Sequence, residues 1–222
     1  MKLVYPDFNF VLDTESDGIN TVIVENQKMM LQFIKDIKGQ VSGDDGKAVL
    51  SDDGKIVPIS KRLEFLDQFV PFETNRKTLL SKAYAAAEKA SVNPQNYERT
   101  MQALSELEKY LYDLMFETGL DMDIEVPSVT TILKACGAVF KEDGVSLCED
   151  ILNYCVNVNE LEQKKLFVTY NLRSLVDAEE LELFLKSVIS HGVNLIMLEN
   201  QEYEELHVEQ RHIIDYDLCE IG

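Results

Sequence analysis

The sequence predicts an α/β molecule in two parts: a sheet-bearing head built from both chain ends, and a helical leg inserted between them. Three observations lead there. The last quarter runs strand, helix, strand, as "KKLFVTYNL" (164–172), "DAEELELFLKSVISHG" (177–192) and "VNLIMLEN" (193–200). That succession implies parallel pairing through a right-handed crossover. The N-terminal stretches "VYPDFNFVL" and "NTVIVEN" carry the β-branched and aromatic residues of strands. From about Arg76 to Gly119 the chain is instead rich in strong helix formers. The head is therefore assigned to residues 1–75 and 164–222, and the leg to 76–163.

Each element has a local reason. In "QKMMLQFIKDIKG" the residues Met29, Met30, Phe33, Ile34 and Ile37 fall on one helical face, and Gly39 is placed to end the helix. "SGDDGK" (42–47) and "SDDGK" (51–55) form a near-repeat of Asp-Gly turns, and the apolar flanks of the second copy predict a β-hairpin. "NPQN" separates two helices, with Asn93 as cap and Pro94 at the first helical position. In the second helix Met101, Leu104, Leu107, Leu111, Leu114 and Met115 make one stripe, suited to a helical hairpin or an oligomer contact. Helices continue through "PSVTTILKACGAVF" and "GVSLCEDILNYCVNVNEL", and "RHIIDYDLCEI" adds a final strand. The strands of both chain ends are expected in one sheet.

Composition narrows the function. The 222 residues carry a net charge of −19, which argues against a generic nucleic-acid-coating protein unless the bases gather on one surface. They are unevenly spread. Residues 28–109 hold thirteen of the twenty-one Lys and Arg, whereas 171–222 hold twelve acids against three bases. An anion is thus expected to bind in the first half or middle of the chain. The four cysteines show no zinc-like pairing with the histidines, and Cys148 and Cys155 share one helical face as core residues. The start, "MKLVYPDFNFVLD", has Pro6 and acids where a secretory signal needs unbroken apolar chain, and no run approaches the ~20 apolar residues of a membrane span. A soluble cytoplasmic protein is expected.

Catalytic constellations are scarce. GxxxxGK[ST] and GxGxxG are both missing, so although "LIMLE" (195–199) resembles a strand presenting a Walker-B acid, nucleotide hydrolysis is the weaker reading. His191 precedes the glycine that ends a helix, and His207 and His212 lack metal spacing. The conspicuous stretch is "ETGLDMDIEV" (117–126), where Glu117, Asp121, Asp123 and Glu125 alternate in part with apolar residues. If 120–126 is extended, three carboxylates share one side. Two readings stay open: a solvated edge strand whose charges discourage pairing, or a hard-cation site, since Ca²⁺ takes six to eight oxygens in irregular geometry.

With these elements in place the chain resembles the small signature protein family of type II-A CRISPR–Cas loci, which serves spacer acquisition. The resemblance is clearest in "ETGLDMDIEVPSVTTILKACG" (117–137) and in "KKLFVTYNLRSLVDAEELELFLKSVISHGVNLIMLEN" (164–200). It implies a head like a P-loop NTPase without its nucleotide site, carrying an inserted helical leg. It further implies a non-enzymatic homotetrameric ring, stabilised by Ca²⁺, that threads onto linear double-stranded DNA ends without sequence preference. The partners implied are the adaptation integrase and the RNA-guided effector nuclease. Carried over by position, Glu117, Asp121, Asp123 and Glu125 are the metal-binding acids, with Gly119 where relatives often have another acid. Lys77, Lys82 and Lys134 are the DNA-binding lysines, against the plainer reading of solvated helix charges. The rival readings are an acidic interaction scaffold and a cryptic nucleotide hydrolase.

Overall fold

Runs of β-branched residues build the central sheet. β3 (Ile19–Val24) is buried at every position, and β7 (Leu166–Tyr170) and β8 (Asn194–Glu199) nearly so, as strands covered on both faces must be. In the computed structural model, which describes residues 1–15, 18–142 and 146–221, these strands lie at the centre of a six-stranded sheet. Its order is β10 (Glu220–Ile221), β9 (Glu209–Ile214), β3, β8, β7 and β6 (Leu63–Leu66). The five strands from β9 to β6 are parallel, and β10 returns antiparallel on β9.

The N-terminal strands do not all join it. β1 (Lys2–Val4) pairs antiparallel with β2 (Val11–Asp13) and with β4 (Val49–Asp52), and β5 (Lys55–Val57) completes a separate four-stranded sheet. The expectation of one sheet from both ends thus holds for β3 and is corrected for β1 and β2. β1 joins the hairpin of the second Asp-Gly repeat, whose Asp53 (φ 49°) and Gly54 (φ 73°) take the two positive φ values of a tight hairpin turn.

Helix α1 (Gln27–Ser42) lies in the apolar cluster that joins the two sheets. Met30, Phe33 and Ile37 pack with Leu3, Tyr5, Leu12 and Leu50 of one and with Val22, Val168, Ile196 and Leu198 of the other. The Asn26 side chain accepts from the N–H groups of Lys28 and Met29, and the helix runs past Gly39 to a left-handed cap at Gly43 (φ 103°). α7 (Ala178–Ser190) is capped by Asp177 and buries Leu181, Phe184, Leu185 and Val188. α6 (Leu147–Glu162) packs on α7 and buries Cys148, Ile151, Tyr154, Cys155 and Val158. Burial and the Glu180 carboxylate push the Cys148 thiol up to about 12, and burial raises Cys155 as well, so both are held as neutral thiols in the core.

The chain divides into two compact units, Met1–Thr74 with Glu142–Gly222, and Asn75–Lys141. α6 therefore belongs with the sheets, although the sequence reading ran the leg to 163. The second unit holds α3 (Lys77–Ser91), α4 (Tyr97–Thr118) and α5 (Val129–Ala135). With the four-residue α2 (Ile59–Arg62), seven α-helices are present among the described residues. None is long and apolar enough to cross a membrane.

Candidate nucleic-acid interface

The division into units also separates the charge. The first unit holds thirteen Lys and Arg against thirty-one Asp and Glu, a net −18, while the second holds eight against nine, a net −1. Within the second unit the separation continues. Residues 75–105 with 127–141 carry Arg76, Lys77, Lys82, Lys89, Arg99, Lys134 and Lys141 against only Glu88 and Glu98. Residues 106–126 carry seven acids against Lys109.

Packing brings the basic elements together. α5 lies against α3, where the Thr130 N–H donates to Glu88 Oε2 at 2.8 Å and the Thr130 hydroxyl donates to the Tyr84 carbonyl at 3.2 Å. The Tyr84 hydroxyl donates to the Ala138 carbonyl at 2.5 Å, and Asn75 exchanges two hydrogen bonds with the backbone of Phe140. Thus Lys134 on α5 joins Lys77 and Lys82 on α3 in one helix pair, all three exposed. Lys89, which the sequence reading passed over, is seven residues from Lys82 and so shares its face. Its signal was available as that spacing.

The start of α3 breaks a local rule. Arg76 and Lys77 sit at the N-cap and first position, where the helix dipole is positive; no acid stands in the first turn and no side chain caps it. Cations there are unfavourable by roughly 0.3–1 kcal/mol each, whereas phosphate oxygens are favoured at such an end. A departure of this kind is expected at functional positions.

The acidic segment is arranged differently. α4 ends at Gly119 (φ 68°), whose N–H reaches the carbonyls of Met115 and Phe116. Beyond it, residues 120–128 form no strand, because no strand among the described residues pairs with them to hold the extended pleat. Glu117, Asp121, Asp123 and Glu125 are all exposed, and among the described residues no group of three or more His, Cys, Asp or Glu is gathered closely enough to hold an ion. The donors have the hard-oxygen chemistry of a calcium site, but this conformation does not assemble them.

The histidines have structural partners. His191 Nδ1 lies 2.9 Å from the Ser187 carbonyl at the end of α7, and His207 lies against Glu182. His212 stacks on Phe10 at 4.4 Å and bonds to Asn20, with burial lowering its pKa. Glu199, at the carboxyl end of β8, is fully buried and accepts the Arg173 N–H at 3.2 Å on Oε1, while Oε2 has no hydrogen-bond partner among the described residues.

A family model described as CRISPR-associated protein (Cas_Csn2) matches residues 40–218, which span the basic helix pair and the acidic segment. The chain belongs to this family. For a Cas_Csn2 chain the extent of the match matters: it runs from the end of α1 through all of the second unit and on past β9. No curated protein matches significantly. Among solved structures, a putative ABC transporter ATP-binding protein from Pyrococcus furiosus aligns with 12% identity and a TM-score of 0.39, over 95% of this chain and 94% of that one.

Proposed function

We propose that this Cas_Csn2 chain is a non-enzymatic, type II-A adaptation protein that binds linear double-stranded DNA through the basic pair α3–α5, without reading sequence. The observation that carries this is the net −19 chain concentrating seven bases against two acids in residues 75–105 and 127–141. Binding by phosphate contacts is salt-dependent and indifferent to base sequence. A homotetrameric ring belongs to the same reading, and the exposed apolar residues of α4, Tyr110, Leu114 and Phe116, support self-assembly. The partners in this reading are the adaptation integrase and the RNA-guided effector nuclease.

The head is read as a P-loop-NTPase-like sheet without a phosphate site. Only Glu25 and Asn26 lie between β3 and α1, too few residues and no glycine to cradle a phosphate, which argues against the hydrolase alternative. Ca²⁺ enters through the family resemblance. Its binding would have to draw Glu117, Asp121, Asp123 and Glu125 together from the separation seen here, and it would supply a fixed local shape.

The test compares binding to linear and covalently closed circular duplexes of identical sequence, with calcium and then with chelator. Retention on the linear form alone, lost with chelator, is expected. Equal binding to both forms would keep DNA binding and reject threading from ends. Failure to bind either at low salt would favour an acidic interaction scaffold, the reading that the first unit's net −18 supports. Replacing Lys82 or Lys134 with alanine is expected to weaken binding on all sequences alike and to reduce the log–log salt slope by about 1 each, read from titrations at several salt concentrations.

A further inference from the structure

The four-stranded sheet has an outer face of unusual chemistry. Its inner face packs on α1 through Leu3, Leu12 and Leu50. The pleat then sends Lys2, Val4, Val11, Asp13, Val49, Ser51 and Ile56 outward. Val4 pairs directly with Val11 on one side and Val49 on the other, making a three-strand aliphatic row. Ile56 lies opposite Ser51, in the adjoining row of Asp13, Lys2 and Ser51, and adds an aliphatic side chain diagonal to Val49 on the fourth strand. Exposure of these residues is 49% for Val11, 38% for Val4, 42% for Val49 and 80% for Ile56. An antiparallel sheet with one solvated face ordinarily turns polar residues outward. Strand propensity alone would be met by threonine, which occupies none of the seven positions.

Charge narrows what covers this face. Among the seven outward side chains the one acid, Asp13, is paired with the one base, Lys2, at 3.0 Å. The face is therefore neutral on a unit of net −18. A basic partner would be drawn to the acid-rich remainder of the unit, and among the seven outward side chains nucleic acid finds no unpaired cation. A second copy of the chain meets heavy like-charge repulsion elsewhere on this unit, but not on this face. Its flat aliphatic row is self-complementary across a two-fold axis, and each Lys2–Asp13 pair can meet its counterpart at the rim. We infer that the outer face of the β2-β1-β4-β5 sheet is an isologous contact between two copies of this chain. This rests on the reading that the chain assembles with itself, and it names the surface.

The test is the mass of the full chain by sedimentation equilibrium over a range of concentrations. Val49→Lys and Ile56→Lys each place a charge twice in a two-fold contact and are expected to weaken that association about 100-fold or more, leaving the smaller species held by other contacts. Val49→Thr, which keeps strand propensity, should weaken it less and leave the melting temperature unchanged. Leu183→Lys, at a 61% exposed site on α7, is the control and should assemble as the native chain does. A native mass retained by both lysine variants, or equal dissociation of the control, overturns this face while leaving self-assembly standing. A native chain that is monomeric throughout overturns self-assembly and this face with it.

Discussion

Replacing Arg173 with alanine is expected to lower the unfolding free energy by about 3–5 kcal/mol, the range found when one partner of a buried ion pair is removed. Arg173 follows β7 and is almost wholly buried, and its Nη1 lies 3.1 Å from Glu209 Oε2 and 3.2 Å from Oε1. Its Nη2 donates to the Glu204 carbonyl, and the guanidinium sits over the Tyr203 ring at 5.0 Å. One side chain thereby ties the end of β7 to the segment before β9 and to β9 itself. Glu209 is fully enclosed and also accepts from the Thr21 hydroxyl at 3.0 Å and the Leu206 N–H at 3.0 Å. Without Arg173, that carboxylate keeps Arg211 as its one charged partner among the described residues, at 3.7 Å. Adding Glu209→Gln should recover much of the loss, because the amide oxygen still accepts from the Leu206 N–H and the amide NH2 can donate to the Thr21 hydroxyl, without a buried charge. Denaturant melts of the single and double variants check this. Additive losses would mean that Arg173 acts through packing, not through the pair.

This network was illegible in the sequence for a physical reason. Pattern reading takes charged residues as solvated, and nothing local marks Arg173, Glu199 or Glu209 as enclosed. The parallel strands β3, β7 and β8 and the amphipathic helix α7 were legible because burial on both faces, or on one, writes a period into the chain. The second sheet was not, since β1 finds β4 through a pairing, Lys2 with Ser51 to Val4 with Val49, that is distant in the chain and that no local pattern specifies. α6 shows the same limit: its apolar face was readable, but the partner that face packs against was not. The lysines of α3 and α5 could be named from the chain, whereas only folding shows that the two helices pack together. For residues 117–126 the alternation suggested a pleat, but with no partner strand the segment takes no such form.

Glu199 is expected to make stability fall as pH rises through neutrality. Burial, opposed in part by the Arg173 and Leu172 N–H groups and by the Arg173 charge, raises its pKa to about 7 from an ordinary value of 4.5. A carboxyl whose folded-state pKa is raised binds its proton more tightly when folded. Its contribution is therefore fully present below about 4.5 and is lost as pH rises through about 7. The span corresponds to about 3 kcal/mol. Glu199→Gln holds the position neutral at every pH, leaves an oxygen for the Arg173 N–H, and places an amide where Oε2 has no partner. Its stability should resemble that of the native chain near pH 5 and exceed it by up to about 3 kcal/mol at pH 8, read from denaturant melts across that range. A ¹³C titration of the Glu199 side-chain carboxyl is the direct check. An ordinary midpoint, or a Gln variant that tracks the native pH profile, would mean that Glu199 is charged in the fold. Oε2 would then need a partner, such as an enclosed water, and the Arg173 guanidinium would balance two buried carboxylates rather than one. In that case the loss on Arg173→Ala should grow with pH over the same interval.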